Sequence, residues 1–329
     1  MVSGVENGGK EGHMTETART WLLLLLSFLS GYAGAWGASC FGFVDLPTAR
    51  SSHRAPIPKG GGVGILGAFL FAGWIYNITP FIILPATTVS LVSLADDRRD
   101  ISPAIRLVVQ FLAALVTVAA FSWNWWYVIL ASVFVVGTAN FYNFMDGING
   151  LAGITGVVGF SLLGWYGQEA GHPHAYSMLC FAVAVSCCGF LPMNLPLAHV
   201  FMGDVGSVLL GFVYAVIVLK FSNNSVEFLL LISFLFLFYA DVLVCLLERL
   251  GQGEALTRAH RSHLYQFLAN ECGYAHWQVT LAYMLAQICV ALCAWRAAQY
   301  GVVFLSAWLV FCMSVFILLN HQVKHRVQL

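Results

Sequence analysis

Charged residues are scarce in this chain, and their scarcity decides its class. Lys, Arg, Asp and Glu make up 9% of the 329 residues, while 60% are hydrophobic; a typical soluble domain is about one quarter charged. The apolar residues occur in runs long enough to cross a bilayer, which takes about 20 helical residues. Short alternating segments, which are typical of membrane strands, are lacking. We therefore predict an all-α fold, a polytopic transmembrane helix bundle.

Several functional signatures are also missing. The nine cysteines form no Cys-x-x-Cys pair and lie mostly inside apolar runs, so they are typical of small buried hydrophobic residues rather than of disulfides or zinc ligands. No strongly basic patch exists, so no nucleic-acid partner is indicated. The chain has neither an internal repeat of the transporter kind nor a regular arginine series of the voltage-sensor kind.

Hydropathy predicts about 10–11 spans in one membrane domain, residues 21–320. The eleven predicted spans lie near 21–44, 62–78, 80–95, 105–121, 125–144, 150–167, 175–192, 206–220, 227–247, 277–297 and 302–320. Residues 1–20 are polar and mixed in charge, so we expect a disordered tail there, and residues 321–329 form a short C-terminal tail.

Eleven spans divide the connections between two sides of the membrane, and the basic residues divide unequally with them. One side receives Arg50, Arg54, Lys59, Arg98, Arg99, Arg106, Arg249, Arg258, Arg261, Lys324 and Arg326, which is eleven; the other receives Lys10, Arg19, Lys220 and Arg296, which is four. Because basic residues favour the cytoplasmic side, the first side is predicted to be cytoplasmic, with the N-terminus periplasmic and the C-terminus cytoplasmic. Nearly all unusual residues fall on this side, which indicates one polar site at that face.

The first two candidate segments are an early loop and an acidic cluster. Lys59 precedes three glycines, whose backbone could approach a ligand closely while the lysine holds a phosphate; a solvated loop is the alternative. Asp96 and Asp97 end an apolar run and are followed by Arg106 and Gln110. Paired carboxylates suit Mg²⁺, which prefers oxygen ligands, although one of them could act as a base and an ordinary charged turn is the alternative.

The third segment contains Asn140, Asn143, Asp146, Gly147 and Asn149. The spacing places Asn140, Asn143 and Gly147 on one helical face, with Asp146 at its margin. Polar side chains within a span usually face a cavity or the bundle interior. Interhelical hydrogen bonding by the asparagines is the alternative, but the cluster holds more polar groups than packing needs.

The last segments lie in the second half of the chain. Gly203-Asp204-x-Gly206-Ser207 opens a span, where Asp204 could instead be an ordinary N-cap. His260, Arg261 and His263 are typical of a phosphate or sugar cradle, with a solvated basic loop as the alternative. Asp241, inside the ninth span, is expected to line the site or to pair with a neighbouring polar group.

Together these motifs, in this order, resemble the polyprenyl-phosphate N-acetylhexosamine-1-phosphate transferases, glycosyltransferase family 4. The resemblance covers residues 44–266, and the first loop resembles the bacterial branch that initiates O-antigen or similar surface glycans, among the lipopolysaccharide and cell-wall pathways. It implies a Mg²⁺-dependent phosphotransferase (Mn²⁺ is a second option) in the bacterial inner membrane, with its active site facing the cytoplasm. The implied partners are a UDP-N-acetylhexosamine and undecaprenyl phosphate, and a homodimer is left open.

The resemblance also implies roles for individual residues. The expected metal ligands are Asp204 and Asp97. The expected catalytic residues are Asp96, Asp97 and Asp146, with Asp96 deprotonating or positioning the lipid phosphate. The expected substrate-binding residues are Lys59, Arg106, Asn140, Asn143, Asn149, His260, Arg261 and His263. Many bacterial members carry Asp-Gly-x-Asp-Gly, whereas the second acid here is Asn149; if that position contacts uracil, its amide can both donate and accept a hydrogen bond.

Three other functions remain in competition. A secondary transporter for an anionic or phosphorylated solute would also have many spans and intramembrane polar groups, but its site is expected near the midplane. A phosphotransferase of the CDP-alcohol kind would need a longer Asp/Gly/Arg signature that this chain lacks. A non-catalytic relative is disfavoured by the intact acidic residues. Whether the reaction is direct or passes through a phospho-aspartate stays open.

Overall fold

The structure is a computed structural model that describes residues 8–47, 52, 55–99, 101–254 and 261–328. The helices are α1 (Gly8–Phe41), α2 (Val63–Ile75), α3 (Pro80–Arg99), α4 (Pro103–Ala119), α5 (Trp125–Phe144), α6 (Leu151–Glu169), α7 (His174–Phe190), α8 (Asp204–Phe221), α9 (Ser225–Ser233), α10 (Phe236–Gly251), α11 (Leu264–Asn270), α12 (His276–Ala298) and α13 (Val302–Gln328). Two short antiparallel strands, β1 (Phe43–Asp45) and β2 (Ile57–Lys59), join α1 to α2. The predicted all-α membrane fold is confirmed.

All eleven predicted spans correspond to helices, but fewer meet the length and hydropathy expected of a span. Within the described part of the chain seven helices qualify, or eight spans if α9 and α10 together count as one. The shorter apolar helices α2 and α4 account for two of the remaining predictions, and α6, rich in glycine, accounts for the third. Helix α1 begins at Gly8, within the segment 1–20 expected to be a disordered tail. The division into tails and one membrane domain stays a prediction.

The predicted ninth span is not one straight helix. It is broken between Ser233 and Phe236, and the two halves meet at 85°. A break exposes backbone groups that cannot find water inside a membrane protein. Here Gln287 of α12 satisfies them, because its Oε1 accepts from the Leu237 N–H at 3.0 Å and its Nε2 donates to the Ser233 carbonyl at 2.9 Å.

Helix α8 forms the centre of the bundle. In α8, 89% of the residues are buried, against 11% in the most apolar 18-residue stretch of the peripheral α13. Helix α8 packs against α2, α3, α5 and α6. Small residues permit this density: a Cβ at Gly211 would lie 2.6 Å from the Ala139 Cα of α5. Since α8 begins at Asp204, the first residue of this central helix is a carboxylate, and it bonds to side chains of α4 and α5.

Candidate active site

Helix α3 ends with its acidic pair held by two basic side chains. Asp97 Oδ1 lies 3.0 Å from Lys59 Nζ, and Asp96 Oδ2 lies 2.5 Å from Arg106 Nη1. Asp96 Oδ1 also accepts from the Ile101 N–H at 2.6 Å, so both of its oxygens are engaged. The Asp97 side chain is 4% exposed, and its Oδ2 is buried with no hydrogen-bond partner among the described residues.

The glycine-rich loop brings Lys59 to this pair by packing on the turn before α8. The Gly60 and Gly61 N–H groups donate to the Phe201 carbonyl, and Gly62 donates to Met202. The backbone of these glycines, which was expected to approach a ligand closely, therefore packs against the turn before α8 instead. Burial acts to lower the pKa of Lys59, but the charge and hydrogen bond of Asp97, together with nearby carboxylates, outweigh it and raise the pKa above its usual value.

Asp204 completes an ion-pair chain between three helices. Its Oδ1 accepts from Asn143 Nδ2 at 2.9 Å, and its Oδ2 lies 3.2 Å from the same Arg106 nitrogen that binds Asp96. The alternative that Asp204 is an ordinary N-cap is wrong, because Gly203 occupies the cap position and the carboxylate points to neighbouring helices. Gly203 has φ +74°, and a Cβ there would lie 2.9 Å from Asp97 Oδ2, so the turn and the acidic pair are in direct contact.

A cavity of about 230 Å³ opens among these groups. It is lined by Asp45, Ser52, Lys59, Asp97, Asp146, Gly147, Ile148, Asn194, Phe201, Gly203, Asp204 and Gln266. Four of these side chains are carboxylates and one is a lysine. Burial and the charges of Asp204 and Asp97 raise the pKa of Asp146 well above its usual range. The described residues therefore form a polar cavity with more carboxylates than basic groups, and a cationic ligand would offset this excess of negative charge.

The Asn/Asp segment is divided between this cavity and its surroundings. Helix α5 ends at Phe144, so Asp146 and Gly147 lie in the following turn and the predicted common helical face is wrong beyond Asn143. Asn143 donates to Asp204 and to Ser207 Oγ, both at 2.9 Å. Asn140 instead donates to Gln110 Oε1 at 2.6 Å, away from the lining residues.

Asn149 also lies outside the cavity lining. Its backbone N–H donates to His276 Nδ1 at 3.3 Å, and its carbonyl accepts from Thr280 Oγ1 at 2.9 Å, so two side chains of α12 hold this turn. Its side-chain amide donates to the Pro196 carbonyl at 3.3 Å. A carboxylate has no proton to donate in that bond, which gives the amide at this position a structural explanation.

The His-Arg loop reaches the cavity through the residues that follow it. His260 lies outside the described residues. Arg261 pairs with Glu271 at 4.0 Å, and the buried His263 ring lies 3.3 Å from Asp241 Oδ1. Neither is among the described residues that line the cavity, whereas Gln266 of α11 is. The substrate-binding roles of these residues stay predictions.

Several lining residues are not among the candidates that the sequence indicated. Asn194 is 5% exposed; its Oδ1 accepts from the Gly150 N–H at 2.6 Å and its Nδ2 donates to the Val200 carbonyl at 2.8 Å, so it ties the two turns that border the cavity. Asp45 and Gln266 are likewise lining groups outside the residues selected. Asn194 lies in a predicted connection on the same side as the other motifs, and that signal could have identified it.

The donor set suits a hard divalent cation. Asp97 offers a buried oxygen without a partner, and carboxylates of Asp146 and Asp204 line the same cavity; oxygen ligands of this kind are those that Mg²⁺ prefers. Among the described residues, no three His, Cys, Asp or Glu side chains are close enough to hold a metal ion by themselves. An ion held here would need water or substrate oxygens to complete its coordination, as Mg²⁺ commonly does in sites that bind phosphate substrates.

Comparison with known proteins points to one family. Residues 79–222 match the model of glycosyl transferase family 4. The chain is 26% identical over 295 residues to the decaprenyl-phosphate N-acetylglucosaminephosphotransferase of Mycobacterium tuberculosis, covering 74% of this chain and 73% of that protein. It is 27% identical over 281 residues to the undecaprenyl-phosphate alpha-N-acetylglucosaminyl 1-phosphate transferase of Salmonella typhi, covering 76% and 75%. A probable undecaprenyl-phosphate N-acetylglucosaminyl 1-phosphate transferase of Bacillus subtilis is 25% identical over 299 residues, covering 84% and 82%.

Proposed function

We propose that this chain, whose residues 79–222 match the model of glycosyl transferase family 4, transfers an N-acetylhexosamine 1-phosphate from a UDP-sugar to undecaprenyl phosphate. Its relatives are named as phosphotransferases that act on polyprenyl phosphates. The observation that carries the proposal is the cavity in which Lys59, Asp97, Asp146 and Asp204 meet, since the four come from separate strands, turns and helix ends of a membrane helix bundle.

The reaction proposed is a phosphoryl transfer. An oxygen of the polyprenyl phosphate forms a bond to the β-phosphorus of the nucleotide sugar. The bond between that phosphorus and the bridging oxygen breaks, and UMP leaves with its electron pair. The product is a polyprenyl-diphospho-sugar. Such transfers depend mainly on positioning and on stabilising negative charge.

The ion-pair chain suggests how the residues divide this work. Arg106 lies between Asp96 and Asp204, so its guanidinium is held where it can donate to the lipid phosphate while Asp96 fixes its direction. Lys59, paired to Asp97, supplies the positive charge of the cavity itself. Asp146 lines the same cavity and Asn143 donates to Asp204, so both are assigned to the diphosphate side.

A magnesium ion is proposed as cofactor. Asp97 and Asp204 would hold it, with Asp146 lining the same cavity. When bound, such an ion neutralises charge on the transferring phosphoryl group. An anionic diphosphate would otherwise meet four carboxylates and one lysine, a balance that opposes binding.

The membrane setting follows from the same proposal. The cavity side carries eleven of the fifteen basic residues by the sequence-based division, so we place it at the cytoplasmic face of the bacterial inner membrane, with the N-terminus periplasmic and the C-terminus cytoplasmic. There the enzyme would initiate an O-antigen-like or other surface glycan.

An assay of the purified protein tests the proposal. Undecaprenyl phosphate is supplied with each of several UDP-N-acetylhexosamines, with and without Mg²⁺, and UMP is measured. We expect UMP only when lipid phosphate and metal are both present, and none from Asp204→Ala. Unchanged turnover in Asp96→Asn would remove the role given to that residue. Uptake of an anionic solute into liposomes without release of UMP would instead favour a transporter.

A further inference from the structure

A second buried carboxylate, Asp241, lies in α10 outside the cavity lining. It is 2% exposed. Its Oδ1 accepts from the Leu264 N–H at 2.9 Å, and its Oδ2 accepts from the Tyr265 N–H at 3.3 Å and from the Tyr283 hydroxyl at 2.6 Å. The His263 ring lies 3.3 Å from Oδ1. Asp241 therefore fastens the beginning of α11 to both α10 and α12.

The fastened helix is in contact with the cavity wall. The Tyr265 hydroxyl donates to the Phe144 carbonyl at 2.8 Å, where α5 ends. The same hydroxyl would lie 2.2 Å from a Cβ at Gly147, so α11 presses directly against the turn that carries Asp146. Gln266, the next residue of α11, lines the cavity.

These contacts form one continuous path from Asp241 to the cavity. The seven residues of α11 are too few for a stable isolated helix, so its position depends on its attachments. Two backbone N–H groups at its start have no intrahelical acceptor, and Asp241 supplies acceptors to both. The side of α11 that faces the cavity is thus set by a residue that does not line the cavity.

We propose that Asp241 is a positioning residue for the nucleotide-sugar donor, which acts by holding α11 so that Tyr265 and Gln266 complete the wall beside Asp146. This inference rests on the proposed transferase function. The acidic pair and Arg106 belong to α3 and α4, and their hydrogen bonds and ion pairs are made to Lys59, Ile101 and Asp204 rather than to α11. Loosening α11 is therefore expected to weaken binding of the UDP-sugar donor and to leave binding of the lipid phosphate unchanged.

The variant Asp241→Asn tests the inference. Its amide keeps one acceptor oxygen in nearly the same shape, so α11 loses part of its attachment without a change in volume. We expect the KM for the UDP-sugar to rise about tenfold and the KM for undecaprenyl phosphate to change less than about twofold. Hydrogen–deuterium exchange at residues 261–270 is expected to accelerate. Tyr283→Phe, which removes one donor only, is expected to give the same pattern at about two- to threefold.

The matched control is Gln287→Met. Gln287 is also buried on α12, one turn beyond Tyr283, and its bonds serve the α9–α10 break rather than α11. This variant is expected to lower thermal stability with both KM values unchanged, as general damage to packing would. If Asp241→Asn lowers only kcat, or leaves both the donor KM and the exchange of residues 261–270 unchanged, the inference is overturned. A wild-type protein that releases no UMP would overturn the proposed function itself, which the first assay decides before any variant is compared.

Discussion

Two buried carboxylates of this protein differ in how completely they are bonded. The Asp241 side chain is 2% exposed and the Asp97 side chain 4%. Both Asp241 oxygens accept hydrogen bonds, from two backbone N–H groups and the Tyr283 hydroxyl. Asp97 has Lys59 at one oxygen, and its other oxygen has no partner among the described residues.

The difference separates a structural acid from one that is available to a ligand. Leaving a buried carboxylate oxygen unbonded is costly, and such atoms are uncommon in folded proteins. Asp241 avoids this cost within the protein and in doing so orders α11. Asp97 has an unbonded oxygen beside a cavity, where a bound cation would supply the missing interaction. Substitutions at the two positions are therefore expected to affect different quantities.

Of the substitutions that compare Asp97 with Asp241, Asp97→Asn is expected to have the largest effect on activity. The amide can still accept from Lys59, but it removes the charge and the unpaired anionic oxygen. We predict that UMP release falls at least about 100-fold, since loss of one electrostatic group in an active site commonly costs that much, while the thermal unfolding temperature is kept or raised. Retained activity would show that the unpaired oxygen has no catalytic part and would end the distinction drawn here.

The largest effect on stability is expected from Asp241→Ala. It leaves the N–H groups of Leu264 and Tyr265 and the Tyr283 hydroxyl without an acceptor. Removing one side of a buried charged network costs roughly 3–5 kcal/mol. Asp97→Ala, which strands only the partly exposed Lys59, is expected to cost about 1 kcal/mol or less. Thermal unfolding of both variants in the same detergent compares them directly. Equal losses of stability would mean that the bonding of the two acids does not distinguish their roles.

The sequence predicts a functional role for Asp97. For Asp241 it predicts that the carboxylate has a partner but not which residues that partner comes from. Five consecutive charges from Asp96 to Asp100 stand out because the flanking runs are apolar, and the helix that they end does lead to the cavity. A lone acid in an apolar run indicates a buried partner, as expected for Asp241. Its partners are 22 to 42 residues away along the chain, and no periodicity encodes such a distance.

The bend of the ninth predicted span was hidden for a similar reason. Residues 227–247 are predominantly apolar, with Glu227 and Asp241 as their two charged residues, and contain neither proline nor glycine, so hydropathy predicts a single helix. The break at Phe234–Leu235 depends on Gln287, more than 50 residues later, which satisfies the freed backbone groups. The convergence of the acidic motifs was predictable because it needs only the side of the membrane on which each connection lies. Tertiary hydrogen bonds are fixed by packing that the local sequence does not record.

A smaller effect is expected where the two regions touch. Gly147→Ala would bring a methyl group within 2.2 Å of the Tyr265 hydroxyl, so either α11 or the turn carrying Asp146 must move. We predict that donor turnover falls about tenfold, as small misplacements at an active site can cause. Tyr265→Phe in the same chain removes the colliding oxygen and should restore part of the activity. A double variant no better than Gly147→Ala alone would argue against contact between α11 and this turn.

The smallest effect is expected at Asn149, which is bonded within the protein as Asp241 is, but weakly and at a half-buried site. Its side-chain amide donates to the Pro196 carbonyl at 3.3 Å, and its backbone is held by His276 and Thr280. Asn149→Asp loses only the first of these bonds, which is worth about 1 kcal/mol or less. We therefore predict that the KM for UDP-N-acetylglucosamine changes less than about twofold. A tenfold change in that KM, with the KM for the lipid constant, would mean that residue 149 contacts the nucleotide. A side chain bonded within the protein could then no longer be taken as structural, and the assignment of Asp241 would rest on its kinetics alone.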